Sequence, residues 1–181
     1  MNDIEFLKNY FKQLQNLIGN EKYLNDLVKV KEILLKTHQN KKKTMIFGNG
    51  GSAAIASHFS VDLTKNANVR CTNYNESDLI TCFSNDYGYD EVFSRQVSGL
   101  GNKGDLLFVI STSGKSKNII KAAETAKNKK IKIIALTGNK KSKLETLSNI
   151  CIRAPSSETA HIQEVHAILI HIICLLLEKR F

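Results

Sequence analysis

Apolar positions along this chain fall into two rhythms. Over residues 1–40 they recur at helical steps: Ile4, Leu7, Phe11, Leu14 and Ile18 are spaced alternately by three and four, one narrow stripe of a helix. Gly19-Asn20 closes that helix, and Leu24, Leu27, Val28 and Leu34 make the stripe of a second. Such a pair either packs on its own core or lays its narrow stripe against another subunit. Two short helices ahead of the first strand favour the oligomeric role.

From Thr44 the rhythm changes to short apolar runs separated by helical stretches. TMIF runs into a glycine cluster and a helix over residues 52–64. VRCTNY reads as a second strand, and DLLFVI ends in STSGKS with a helix to residue 127. IKIIALTG stops at Gly138, and NICIRAP is broken by Pro155 before a long helix from about residue 157. Strands alternating with helices imply right-handed crossovers and a parallel sheet covered on both faces. The expected fold is therefore α/β: a three-layer α/β/α sandwich with a five-stranded parallel, flavodoxin-like sheet, preceded by two N-terminal helices. Residues 1–40 form the helical pair and residues 41–181 the α/β body, together one folded unit.

Composition narrows the setting. The chain of 181 residues is 42% hydrophobic and 24% charged, with one proline, enough to bury a core without covalent staples. Its four cysteines, Cys71, Cys82, Cys151 and Cys174, have no CxxC or framework spacing and read as reduced thiols of a cytoplasmic protein. The N-terminus lacks the pattern of a signal peptide, and the longest apolar stretch, residues 167–177, is too short to span a bilayer. No membrane association is expected. The formal charge of +9 invites a nucleic-acid reading. The lysines are instead dispersed over helix ends and turns without interleaved aromatics, which argues against a specific nucleic-acid partner and suits a small anionic substrate.

In open α/β sheets, ligands bind beyond the carboxyl ends of the strands, and two of those ends are unusual. Gly48-Asn49-Gly50-Gly51-Ser52-Ala53 loosely matches a dinucleotide fingerprint. The acidic residue that would hold a ribose is missing, because VRCTNY ends in Asn73-Tyr74 and Glu76 lies past it, so no nucleotide cofactor is expected. STSGKS places Ser111, Thr112, Ser113 and Ser116 between a strand and a helix, with Gly114 allowing a tight turn. One serine would suffice for an N-cap. Four hydroxyls at a helix N-terminus point to a phosphate cradle, and so to a small phosphorylated metabolite.

A histidine and a carboxylate, His58 and Asp62, follow the glycine turn four residues apart and share a helix face. The C-terminal helix carries His161, Gln163, Glu164, His166 and His171. Two helices presenting such donors can clasp a zinc-like divalent metal, although histidines on apolar helices are more often satisfied core residues.

The segments GNGGSAAIASHF, SNDYGY, ISTSGKSKNIIKA, ALTG and IQEVH…IH, in that order, resemble the phosphoheptose isomerases of the sugar-isomerase (SIS) domain superfamily. The resemblance runs from about Lys43 to the C-terminus, and the N-terminal helical pair suits it. It implies a ketose–aldose isomerase that converts sedoheptulose 7-phosphate to D-glycero-D-manno-heptose 7-phosphate through an enediolate, the first step toward nucleotide-activated heptose. It also implies a homotetramer with sites at subunit interfaces and one zinc per subunit. By position, His58, Asp62, Gln163 and His171 would be metal ligands, with Asp62 and His171 also supplying base and acid. Ser52, Ser111, Thr112, Ser113 and Ser116 would hold the phosphate, and Asn49, Gly50, Gly51, Asn85, Asp86 and Gln163 would line the sugar. The Gly turn and the His/Asp pair would then be two walls of one pocket. Asp62 stands where the family has glutamate, and Asn66 and His161 stand where it has arginine. Two alternatives follow: an isomerase of another ketose phosphate, or a non-enzymatic adaptor of the replication-initiator-associating type.

Overall fold

The computed structural model describes residues 2–179. In chain order the elements are α1 (Asp3–Ile18), α2 (Lys22–Gln39), β1 (Thr44–Gly48), α3 (Gly51–Lys65), β2 (Cys71–Thr72), α4 (Ser77–Tyr87), a 3-10 turn (Tyr89–Glu91), α5 (Val92–Leu100), β3 (Leu106–Ser111), α6 (Lys117–Asn128), β4 (Lys132–Thr137), α7 (Lys143–Leu147), β5 (Ile150–Arg153) and α8 (Thr159–Glu178). The five strands pair in parallel in the order β2-β1-β3-β4-β5.

Successive side chains of a strand point to opposite faces, and β3 shows the result. Leu106, Phe108 and Ile110 enter one core with the apolar faces of α2, α3 and α8. Leu107 and Val109 enter the other, with α5, α6 and α7. A strand covered on both sides needs no polar positions, which is why the run reads as continuously apolar. In the first core Phe59 and Phe108 meet edge to face at 5.0 Å.

The second strand is shorter than VRCTNY led us to expect. Only Cys71 and Thr72 pair with β1. Upstream, the Val69 amide is spent on the carbonyl of Leu63, and the Arg70 carbonyl accepts from Thr44. This is an edge position with one neighbour, and the chain leaves it as soon as β1 no longer pairs with it.

The two N-terminal helices differ. Tyr23, Leu27, Val30 and Leu34 of α2 are buried in the first core. Helix α1 buries no residue fully; Leu14 and Leu17 rest against the core, while Ile4 and Phe11 are 62% and 63% exposed. One tether is Tyr10, whose hydroxyl donates to Glu164 Oε1 at 2.7 Å and whose ring lies 4.3 Å from that of His161.

Helix α8 is long and apolar enough to cross a membrane by length and composition alone. Its packing accounts for that composition, because Ile162, Val165, Leu169, Ile170, Ile173 and Leu177 are buried against the sheet and its flanking helices.

Candidate active site

The carboxyl ends of β1, β3 and β4 lie side by side. Gly48 stands opposite Ile110 in register, and the Gly138 amide donates to the Thr112 carbonyl at 2.9 Å. The Gly turn after β1 and the serine loop after β3 are thus neighbours at one edge of the sheet, where α/β folds place ligands.

In the serine loop, Ser111 Oγ and Ser116 Oγ are 3.2 Å apart, and Ser113 Oγ accepts from the Lys115 amide at 3.1 Å. Gly114 turns the loop at φ +61, and a Cβ there would run into Ser142. Ser116 is the N-cap of α6, yet its side chain makes no capping bond, so its hydroxyl is not consumed by the helix. Thr112, Ser113, Lys115, Gly138, Asn139 and Ser156 are among the walls of a pocket of about 200 Å³. Its hydroxyls and lysines suit it to an anion, although Ser111 and Ser116 are not among its walls.

The Gly turn feeds α3 through Gly50, which sits at φ +55 and so favours a residue without a side chain. Ser52 is buried in the first turn of α3. Gly51 lies under the Gln163 amide of α8, closely enough that a Cβ would stand 2.7 Å from Gln163 Nε2. Asn49 is held by two residues that the sequence did not single out: Asn118 of α6, paired with it at 2.9 and 3.0 Å, and Tyr89, whose hydroxyl donates to Asn49 Oδ1 at 2.9 Å. Asn118 is buried, although an asparagine at the second position of a polar helix start reads as solvent-facing. Asn85 and Asp86 lie exposed in the last turn of α4, bonded to one another at 2.9 Å. The nearby bond that ties their segment to the Gly turn is that of Tyr89.

Helices α3 and α8 run alongside one another in the same direction, pairing Gly51 with Gln163 near their starts and His58 with His171 further along. There three donors converge. His58 Nε2 lies 3.1 Å from Asp62 Oδ2 and 3.0 Å from His171 Nε2, and His171 Nε2 lies 3.9 Å from Asp62 Oδ2. Bonds of about 2.0–2.2 Å to a tetrahedral zinc place ligand atoms roughly 3.3 Å apart, and these separations bracket that value. The two imidazoles are about half exposed, at 57% and 51%, and the carboxylate is 17% exposed.

Within one chain the site is divided. Gln163 is not brought to the histidines and Asp62; His171 lies eight residues further along α8, roughly 12 Å at 1.5 Å per residue. Likewise neither the Gly turn nor the His58/Asp62 pair is among the walls of the serine-loop pocket.

The remaining histidines of α8 serve packing. His166 is fully buried, and its Nε2 lies 3.1 Å from the Thr137 carbonyl, to which it donates. Burial pushes its pKa down to about 4, against the opposing pull of the Thr137 bond. His161 is buried beneath the Tyr10 ring.

The chain matches the SIS domain family model over residues 6–138. It is 40% identical to a phosphoheptose isomerase of Helicobacter pylori, with 98% of this chain and 94% of the relative covered. Among solved structures it is similar to a phosphoheptose isomerase from Neisseria gonorrhoeae, with TM-score 0.92, 32% identity, and 98% and 100% of the two chains covered. It is likewise similar to one from Francisella tularensis, with TM-score 0.89, 30% identity, and 99% and 100% covered.

Proposed function

The chain belongs to the phosphoheptose isomerases of the SIS-domain family, and from that premise we propose that it interconverts sedoheptulose 7-phosphate and D-glycero-D-manno-heptose 7-phosphate. The observation that carries this reading is the convergence of His58, Asp62 and His171, a base, an acid and a metal-competent donor set on two adjacent helices. An adaptor would have no use for that set.

The reaction moves a carbonyl between C2 and C1. A proton leaves C1, its electron pair forms the C1–C2 double bond, and the C2 oxygen takes up negative charge. A proton then returns to C2 as the carbonyl forms at C1. Asp62 is suited to carry the carbon-bound proton, and His171, whose imidazole exchanges protons near neutral pH, to serve the oxygens. His58, Asp62 and His171 would hold a zinc ion; Gln163, which within one chain lies against Gly51 and away from that trio, is the fourth ligand that the family resemblance implies. When bound, that ion supplies electrostatic stabilisation of the developing oxyanion. The hydroxyls of Ser52, Ser111, Thr112, Ser113 and Ser116 grip the 7-phosphate, and this remote binding positions the reacting end. Asn49, Gly50, Gly51, Asn85 and Asp86 line the sugar between them.

Because one chain keeps the serine pocket and the donor cluster apart, the complete site forms between subunits of a homotetramer, assembled through the exposed stripe of α1. Its setting is the cytoplasm, where the free cysteines Cys71, Cys82, Cys151 and Cys174 stay reduced.

The test is turnover of sedoheptulose 7-phosphate by zinc-loaded and chelator-treated protein, with His171→Ala as the control. Aldose phosphate formed by the loaded protein and lost in the variant is the expected result. Absence of turnover from folded oligomer that still binds the sugar phosphate would refute the heptose reading.

A further inference from the structure

The Asn49 side chain is the meeting point of three segments, and its hydrogen bonds determine what it can offer a ligand. The Ile119 amide, which can only donate, lies 2.9 Å from Asn118 Oδ1. That fixes which end of the Asn118 amide is oxygen. Asn118 Oδ1 then accepts from Asn49 Nδ2 at 2.9 Å, and Asn118 Nδ2 donates back to Asn49 Oδ1 at 3.0 Å. The second lone pair of Asn49 Oδ1 is taken by the Tyr89 hydroxyl at 2.9 Å. A carbonyl oxygen has two lone pairs and an amide nitrogen two hydrogens, so Asn49 keeps one free N–H and no free acceptor.

The two residues that impose this state stand on one support. Tyr89 opens the 3-10 turn, which is fastened to α6 by the Glu91–Lys121 ion pair at 2.5 Å and more loosely by Asp90 and Lys117 at 3.8 Å. Asn118 belongs to α6 itself and is 2% exposed. Asn49 belongs to the separate turn after β1.

We propose that Tyr89 and Asn118 are positioning residues for the isomerase, saturating the Asn49 oxygen so that Asn49 meets the sugar only as a hydrogen-bond donor. The ligand group selected is an oxygen with a free lone pair, a sugar hydroxyl or the carbonyl oxygen, at the position facing the Gly turn. Tyr89 stands three residues beyond Asp86 in the chain, so its hydroxyl also ties that segment to Asn49. The inference rests on the isomerase reading above.

The experiment is a double-mutant cycle in steady-state kinetics on the intact oligomer, comparing wild type, Tyr89→Phe, Asn49→Ala and the double variant with sedoheptulose 7-phosphate. Tyr89→Phe removes one hydroxyl and is expected to lower kcat/KM by about 3- to 10-fold, the range of a single neutral hydrogen bond, with the thermal midpoint unchanged. In the Asn49→Ala background the same change is expected to cost less than about twofold, because there is no Asn49 oxygen left to saturate. Asn118→Asp, which replaces the N–H facing Asn49 with an acceptor, is expected to cost more than Tyr89→Phe. If Asn49→Ala falls below detection, the cycle is read as equilibrium binding of sedoheptulose 7-phosphate in chains that also carry His171→Ala. A Tyr89→Phe protein indistinguishable from wild type, or an equal cost in both backgrounds, overturns the positioning role while leaving the isomerase standing. Absence of turnover in the wild type refutes the isomerase reading, and the positioning role falls with it.

Discussion

Glycine 51 shows how one missing side chain serves the chemistry rather than the backbone. Its conformation is helical, and the nearest atoms a Cβ would meet belong to the Gln163 amide, the far end of a flexible side chain. Gly51→Ala should therefore fold normally, with a thermal midpoint close to the parent because alanine favours a helix over glycine. Its cost should appear in activity. Displacing Gln163 by about 1 Å is expected to lower kcat/KM by roughly a hundredfold. Gln163→Ala should reproduce the loss, and the double variant should be no worse than either. An active Gly51→Ala enzyme would remove Gln163 from the site. Histidine is the residue whose role sequence spacing settles least. His58, His161, His166 and His171 all sit on two helices, yet two face one another at the surface and two are packed inside. The His58–Asp62 spacing was legible because one helical turn brings i and i+4 together whatever surrounds them. The burial of His166 was not, since it depends on where β4 ends and on which face of α8 meets it.

At the scale of elements, α1 is the part whose composition a single chain leaves unexplained. Ile4, Leu7 and Phe11 stay exposed on a helix with no fully buried residue. If this stripe joins subunits, replacing Ile4 and Phe11 together by lysine should leave the monomer folded while lowering the oligomer's mass in light scattering and reducing turnover at least tenfold. Unchanged mass would dissociate α1 from assembly. The same helix marks what the sequence could convey. Its three-and-four spacing announced a helix, and the runs of β1, β3 and β4 announced a parallel sheet, because burial on both faces leaves a continuous apolar signal. Helices α4, α5 and α7 and the 3-10 turn left no comparable signal. Helix α4 buries no residue fully and α7 has one turn's length, with Leu144 alone buried, so neither repeats an apolar position often enough to be seen. Tyr89 closes the SNDYGY segment that the sequence marked without giving this residue a role, and the bond it makes to Asn49, 40 residues away in sequence, is set by tertiary packing alone.

The whole molecule should be sensitive to mild acid, and the histidine buried behind β4 gives the reason. His166 has a folded pKa of about 4 against roughly 6.5 in an unfolded chain. Between those values the unfolded state binds the extra proton, so stability rises with pH there. The contribution is fully present above about pH 6.5 and is lost as pH falls toward 4, on the order of 3 kcal/mol at most. Asp105 adds a second, lower step. Burial alone would raise its pKa, but the Lys43 ammonium and the Asn102 and Lys43 amides hold it below the usual range. Its contribution is present above about pH 3.9, the unfolded carboxylate value, and is lost as pH falls through its depressed pKa. Denaturant melts from pH 7 to 4 should show the midpoint falling, with a shallower fall in His166→Asn once both proteins are referred to their own stability at pH 7. A flat profile would contradict the assignment of His166 as buried and neutral.

Helix α8 follows all five strands in the chain while closing the first core and carrying His171. During synthesis, which delivers N-terminal segments first, His58 and Asp62 emerge long before the imidazole that completes their cluster. A chain interrupted before α8 would present neither a finished hydrophobic interior nor a finished ion-binding trio. If that trio holds a metal ion, the ion would be captured only by chains whose synthesis has run through α8.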